Sequence, residues 1–528
     1  MYPIIVIGAG AAGLVAAVGA GRAGKKVLLI ENGKYGGDCT NFGCIPSKAL
    51  ISSAEAAHIV KTASDYGIEI SLKGFDARGA LKRTKKLVEE VRQHNDPEWL
   101  TKQHVEALTG LASFKEPHTL NVKLPNGETR EIKGEKIIIA TGTRPLIPPI
   151  SGLQGTPYLT NETIFDLEEI PESLAVIGGG PIGCELGQAF GRLGSKVTIL
   201  QKDRHLLSKE EPETATAIEQ QFVKEGMKVY FNCYTTEIAY DDKRFTVKTN
   251  QGVVTASHLL IAAGRTLNMD WLNLEAAGVK YGAKGITVNE YGQTSQRHIW
   301  AVGDITGRAL FTHVAENEAR SVLKSMLLPW RTKEDRKQAI PRVTFTAPEV
   351  AAVGLCEAEA IGKYGESRIA VYSIPFSEID RALTSGHREG FVKIVTKKWS
   401  GKILGATILC ERAGEMLPEI SLAMLESIPI RKLARLIHPY PIYNQAIRKA
   451  ADWALSKHAL LAGRQEVYCS GEIWYDKAKN RFMMNHDSGT YLPTAKRVQV
   501  VVDLANKIFE AEKFDHIFEA HTVDEQDK

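Results

Sequence analysis

Short apolar runs alternate with small-residue stretches along the first half of the chain, and the alternation predicts strands followed by helices. Ile4 to Ile7 reads as a strand, Gly8 to Gly13 as a glycine turn, and the small residues beyond it as a helix to about Gly24. Val27 to Ile30 is a second strand, ending at Glu31. A tight turn between an apolar strand and a helix, closed by another strand, is a βαβ unit. The same order returns with a strand over Leu174 to Ile177, a loop over Gly178 to Gly183, a helix over Cys184 to Gly194 and a strand over Lys196 to Leu200. Lys136 to Ala140 and Leu259 to Ala263 are further apolar strands, running into Thr141-Gly142 and Gly264-Arg265. Ile299 to Val302 ends in Gly303-Asp304. After about Leu328 the text changes. Strands are predicted over Pro341–Phe345, Glu349–Leu355, Gly390–Thr396 and Lys402–Leu409, and helices over Glu415–Leu425 and Gln445–Ala459. That is an α+β pattern without a phosphate loop.

The two glycine loops carry the first candidate chemistry. Gly8, Gly10 and Gly13 are spaced so that the first allows a tight turn, the second lets the backbone approach a pyrophosphate, and the third lets helix and strand pack closely. The helix N-terminus offers N–H donors to the phosphates. Glu31, about 20 residues on, is placed to accept ribose hydroxyls. Gly178, Gly180 and Gly183 repeat the spacing, but Gln201 stands in place of the acid, followed by Lys202 and Arg204. A neutral residue beside two cations does not repel a 2′-phosphate, so NADPH is favoured over NADH at this second site. Two dinucleotide sites in one chain imply electron traffic between a nicotinamide and a flavin. Asp304, at the carboxyl end of its strand, can bind a ribityl or ribose hydroxyl.

Composition narrows the class. The chain has 528 residues, with 44% hydrophobic and 24% charged positions, an ordinary globular balance. Its 66 basic and 62 acidic residues leave a formal charge of +4, which argues against nucleic-acid binding. Seven cysteines are too few for a secreted disulfide framework, so the cytoplasm is expected. Pro3 to Gly21 is uncharged and nearly long enough to span a bilayer. Its five glycines suit the strand, turn and close-packed helix instead, and no membrane insertion is expected.

Cys39 and Cys44 follow directly on the first βαβ unit, in Gly36-Gly-Asp-Cys39-Thr-Asn-Phe-Gly-Cys44-Ile-Pro-Ser-Lys48. On an ideal helix a spacing of five turns two residues about 140° apart. A bond between them needs a distorted turn, for which Gly43 and Pro46 are suited. No metal-ligand set accompanies them. With these residues in view, the chain resembles the pyridine nucleotide-disulfide oxidoreductases, the family of glutathione reductase, dihydrolipoamide dehydrogenase and mercuric reductase. The likeness covers roughly residues 1 to 460. It rests on the two loops, Glu31, the cysteine segment, Thr141-Gly142, Gly303-Asp304 and Phe345-Thr-Ala-Pro348-Glu349.

The resemblance implies an α/β fold: an FAD-binding domain (1–145 and 266–335), an NAD(P)-binding domain (146–265) and an α+β dimerisation domain (336–460); the extension (461–528) lies outside the likeness. It implies FAD on the first loop with Glu31, Thr141, Gly142 and Asp304. It implies a nicotinamide on the second loop, with Gln201, Lys202, Arg204 and Gly264 nearby. Cys44 would be the flavin-facing thiol and Cys39 the interchange thiol. Lys48 would sit near the flavin and pair with Glu185. Electrons would pass from nicotinamide through flavin to the Cys39–Cys44 disulfide, and on to a small-molecule acceptor. A homodimer is implied, with Tyr440 facing Cys39 of the other chain.

One segment departs from the dithiol-handling members. Where they read His-x-His-Pro-Thr-x-x-Glu, this chain reads His438-Pro-Tyr440-Pro-Ile-Tyr-Asn-Gln445. Tyr440 stands in place of the base histidine and Gln445 in place of its carboxylate partner. A phenol with a pKa near 10 is a poor proton shuttle at neutral pH. The departure favours a mercuric reductase-like enzyme with an unassigned acceptor over the lipoamide or glutathione type, unless His438 serves as the base. Only Cys469 lies near the end, without the C-terminal cysteine pair or the N-terminal Cys-x-x-Cys domain of mercuric reductases, which counts against mercury as the acceptor and leaves quinones, small disulfides, other metal ions and oxygen open. A redox-sensing flavoprotein, docking partners through the extension, is the alternative outside enzyme chemistry. The extension itself reads as a short β start (Glu466 to Tyr475), a polar turn (Asn485 to Gly489) and an amphipathic helix (Ala495 to Glu512), more consistent with a structural cap than a binding site.

Overall fold

The computed structural model describes residues 1–71, 74–328 and 338–461, together with the short strands Ile473–Asp476, Arg481–Met484 and Glu519–Ala520. The turn at Asn485, the helix expected from Ala495, Cys469 and most of the β start lie outside the described residues. The chain divides into two compact units. One comprises Met1–Ala352 with Leu409–Glu415, the other Val353–Ile408 with the chain from Met416 onward.

The first unit is built on two parallel sheets. Strand β1 (Tyr2–Ile7) lies between β2 (Val27–Glu31) and the long strand Thr129–Ile139, and Val105–Thr109 pairs with the far side of β2. Both faces of β1 are buried. Ile4 and Val6 pack with Ala16, Ala17 and Ala20 of helix α1 (Ala11–Arg22), whereas Ile5 and Ile7 pack with Leu28, Ile30 and Phe114. A strand buried on both sides has no polar alternation, which is why β1 reads as an unbroken apolar run. The start of Thr129–Ile139 is also the third strand of an antiparallel meander with Leu111–Glu116 and Thr119–Lys123, an element not expected from the sequence. Ile299–Ala301 later joins this sheet beside Ile137–Ile139.

The second sheet repeats the plan. Its strand order is Lys228–Tyr230, Lys196–Leu200, Ser173–Ile177 and His258–Ile261, all parallel. Helix Pro181–Arg192 follows its first strand as α1 follows β1. It begins three residues before the expected Cys184, because Pro181 is tolerated at the first helical position, where its missing N–H has no partner to lose.

In the second unit Ile369–Pro375 and Phe391–Lys397 form an antiparallel pair. Helix Gln445–Leu461 packs on both strands, with Ala446, Ile447, Ala450, Ala451 and Ala454 buried. This α/β and α+β architecture agrees with the fold class read from the sequence. Among the described residues no helix is long and apolar enough to cross a membrane.

Candidate active site

Each glycine loop is closed by the same contact. A Cβ on Gly13 would overlap the carbonyl oxygen of Gly8, and one on Gly183 would overlap that of Gly178. Gly8 and Gly178 both have positive φ, +103° and +112°, which only glycine adopts without strain. The second glycine of each loop faces open space: Gly10 has only Gly37 Cα at 3.9 Å, and Gly180 has nothing within 4 Å. Both residues are helix N-caps without a side-chain partner for the first N–H groups. Uncapped donors below a space that a Cβ would fill suit a pyrophosphate. The residues present therefore fit a dinucleotide at both loops.

Behind each loop a side chain braces the turn. Glu31 Oε2 accepts from Ala9 N at 2.6 Å, and its Oε1 accepts from Gly33 N at 2.7 Å. Burial raises the Glu31 carboxyl above its ordinary range, against the lowering effect of these N–H donors. A carboxylate has lone pairs to spare for hydroxyls. Gln201 makes the matching contact, its Oε1 accepting from Gly179 N at 2.9 Å. Its Nε2 donates to His205 O at 3.0 Å and to Asp203 Oδ2 at 3.2 Å. Gln201 is buried, whereas Lys202 and Arg204 are exposed.

The cysteines come together because the helix between them breaks. Cys39 lies in the short helix α2 (Gly37–Asn41), and Cys44 opens α3 (Cys44–Lys61). Gly43, at the break, packs so closely that a Cβ would lie 3.2 Å from Cys39 Cα and 3.1 Å from Asp38 O. Both cysteines are thiols, hydrogen-bonded to one another. Cys44 is pushed down to about 6, chiefly by the hydrogen bond from Cys39, with help from Thr312 and the Lys48 charge; burial and Asp38 oppose this. Cys39 is pushed up, first by its bond to Cys44 and then by burial. The negative charge of the pair therefore settles on Cys44.

Lys48 lies one turn beyond Cys44 on the same face of α3. Its Nζ donates to Glu185 Oε2 at 2.7 Å, on helix Pro181–Arg192. Asp304 Oδ2 accepts from Thr143 Oγ1 at 2.7 Å, and burial raises its carboxyl. Arg265, just after Gly264, donates to Thr143 Oγ1 at 2.7 Å and pairs with Asp38 at 3.2 Å. A polar chain thus runs from the cysteine segment to Asp304. Thr141 and Gly142 are held by Asn268, which accepts from the Thr141 hydroxyl and donates to Gly142 O.

With that geometry in place, comparison with known proteins is decisive. Residues 2–319 match the model of the pyridine nucleotide-disulphide oxidoreductases, and residues 340–451 match that family's dimerisation domain. The chain belongs to this family. Its members are FAD-dependent oxidoreductases that use a pyridine nucleotide, and the matched dimerisation domain supports a homodimer. The chain is 35% identical over 469 residues to a mercuric reductase of Streptomyces lividans, covering 87% of this chain and 98% of the relative. It is 35% identical over 459 residues to the mercuric reductase of Shigella flexneri, covering 85% and 80%. Among solved structures it resembles a Cu(II) complex of the HOCl-induced flavoprotein disulfide reductase RclA from Escherichia coli, with TM-score 0.77 and 28% identity over 86% of this chain and 99% of that one. LpdA from Mycobacterium tuberculosis gives TM-score 0.78 at 26% identity, covering 86% and 99%.

For this oxidoreductase, the departure noted in the sequence takes a definite form in the second unit. His438 is buried, its Nε2 3.2 Å from both oxygens of Glu419 and its Nδ1 3.2 Å from Leu436 O. Asn444 donates to the same carboxylate at 2.7 Å. His438 is thereby tied to Glu419 and Leu436 within its own unit. Tyr440 is 70% exposed and donates to Asp380 Oδ2 at 2.8 Å, a contact that raises its pKa further.

Sequence reasoning missed Thr312, Thr143, Arg265 and Asp38. Thr312 Oγ1 lies 3.6 Å from Cys44 Sγ, across 268 residues of chain. Its signal was present: it is the first residue of helix Thr312–Leu327, a few positions after Gly303-Asp304.

Proposed function

We propose that this chain is an NADPH-preferring reductase that passes electrons through FAD and the Cys39–Cys44 pair to a small thiophilic acceptor, with soft metal ions first. The observation that carries this reading is geometric: the break at Gly43 brings Cys39 and Cys44 together at the start of α3, one turn from Lys48, whose Nζ donates to Glu185 Oε2 at 2.7 Å. When bound, FAD would supply two-electron redox chemistry between the nicotinamide and the cysteine pair. In this reading Cys44 faces the flavin and Cys39 meets the acceptor. Lys48 and Glu185 form the charge pair beside the flavin. Gly8, Gly10, Gly13, Glu31, Thr141, Gly142 and Asp304 hold FAD. Gly178, Gly180, Gly183 and Gly264 seat the nicotinamide nucleotide. Lys202 and Arg204, beside neutral Gln201, read its 2′-phosphate.

The choice of acceptor rests on what faces the dithiol. In the homodimer, Tyr440 would face Cys39 of the partner subunit. A phenol already donating to Asp380 is no proton shuttle, and His438 is bound to Glu419. A dithiol or disulfide substrate needs such a shuttle; a metal ion does not. Similarity to mercuric reductases and to a reductase captured with Cu(II) supports the same choice. Reduced thiols of this kind persist in a reducing cytoplasm.

The test is an anaerobic titration of the purified protein with NADPH and, separately, NADH, followed by the long-wavelength absorbance of a thiolate beside flavin. The band is expected with NADPH at lower concentration, and it should be absent in Cys44→Ser. It should fade as pH falls through about 6, because protonating Cys44 removes the donor. Bleaching of the flavin without the band would overturn the reading. NADPH consumption driven by Hg(II) or Cu(II), but not by lipoamide or glutathione disulfide, would support the acceptor class.

A further inference from the structure

The segment Phe345-Thr-Ala-Pro348 has no part in the function proposed above, yet it is tied to that site at three points. Phe345 N donates to Glu185 Oε1 at 2.9 Å, on the carboxylate whose other oxygen holds Lys48. The Phe345 ring lies against the same ammonium, with Lys48 Nζ 4.4 Å from its centroid. Gln188, one turn beyond Glu185, grips Ala347 from both sides. Its Oε1 accepts from Ala347 N at 2.8 Å, and its Nε2 donates to Ala347 O at 2.8 Å. The remaining N–H of that amide donates to Glu225 Oε1 at 3.0 Å, and Arg192 fixes Glu225 through two further hydrogen bonds.

Glu185, Gln188 and Arg192 are all buried, and their spacing puts them on one face of helix Pro181–Arg192. The face forms a rail of polar groups with each amide atom of Gln188 satisfied. Neither the helix nor its sheet needs such a rail, since apolar side chains would pack the same face without desolvating amides. What it does do is fix the peptide that carries Phe345. A lysine ammonium on a four-carbon stem is poorly held by one carboxylate. A second contact from the ring face restricts it to one position.

We infer that Phe345 and Gln188 are positioning residues for Lys48: the ring and N–H of Phe345 hold the Lys48–Glu185 pair in one geometry, and Gln188 anchors the segment that presents them. The inference rests on the proposed place of Lys48 beside the flavin. The wild-type band above tests whether the dithiol segment that carries Lys48 lies against the flavin, while the experiment below reads the holding of Lys48 alone.

The holoprotein is treated with a pulse of acetic anhydride, and acetylation of Lys48 is followed by mass spectrometry. Phe345→Leu, which loses the ring face, should raise the Lys48 labelling rate about fivefold, the factor set by a cation–π contact of about 1 kcal/mol. Phe345→Tyr should restore the wild-type rate. Gln188→Asn, too short to span Ala347, should also raise it. The thiolate band should weaken in both fast-labelling variants at unchanged FAD content. Phe345→Met, whose unbranched chain adapts to the gap, gives the same reading if the leucine variant loses FAD. Wild-type labelling in Phe345→Leu or Phe345→Met, with FAD retained, would overturn the role of the ring. Wild-type labelling in Gln188→Asn would overturn the anchor.

Discussion

The two glycine loops share a backbone and differ in one side chain. Gly13 closes on Gly8 as Gly183 closes on Gly178, and an acceptor oxygen binds the second N–H of each turn. At the first loop that oxygen belongs to Glu31, at the second to Gln201. Glu31 brings a negative charge and spare lone pairs. Gln201 is neutral, and its amide donors are used up on His205 and Asp203. In the proposed reading the glycines would set where a pyrophosphate lies, whereas the residue after the second strand would set which ribose edge is tolerated.

The largest test of this division is steric. Gly13→Ala and Gly183→Ala each drive a Cβ into a carbonyl oxygen, a strain of about 1–3 kcal/mol or more. Gly13→Ala should purify without its yellow colour. Gly183→Ala should stay yellow but need about 100-fold more NADPH for reduction, measured by anaerobic titration. Colour loss in both variants would mean that the loops are not separate sites. A smaller effect is expected from Gln201→Glu. It places a charge beside the 2′-phosphate and faces Asp203, so the NADPH-to-NADH ratio of kcat/KM should fall about tenfold. An unchanged ratio would remove Gln201 from nucleotide choice. Glu31→Gln makes the first loop mimic the second. It loses one acceptor of a backbone N–H, worth about 1 kcal/mol, and FAD should be released about fivefold more readily on dilution, followed by flavin fluorescence. The smallest change is expected from Lys202→Ala or Arg204→Ala. Both are exposed, so each should raise KM for NADPH only about threefold and leave NADH untouched, the difference shrinking with salt.

What could be read from the sequence follows the range of the interactions. Both βαβ units were legible because strand, turn and helix signals lie within thirty residues and β1 is buried on both faces. The meander over 111–133 was not, since its strands alternate weakly and depend on pairing with Thr129–Ile139. The cysteine pair was legible as a spacing, but not the break at Gly43 that joins it. Thr312 and Arg265 reach their partners across more than 200 residues of chain, and no local pattern marks such contacts. His438 shows the reverse case. Its motif position suggested chemistry, and its burial against Glu419 is a tertiary fact that motif spacing does not contain.

The break at Gly43 also bears on the order in which the molecule assembles. Cys39 and Cys44 are brought together by local turns, within a segment that follows β2 directly. Such short-range structure forms early and needs little of the remaining chain. Thr312, Glu185 and the second sheet are translated later, and chains fold from the N-terminus as they emerge. The two cysteines and Lys48 thus emerge from the ribosome together, before Thr312, which also helps to lower Cys44, has been made. For that interval the redox state of the pair is set by the surrounding thiol pool rather than by the enzyme.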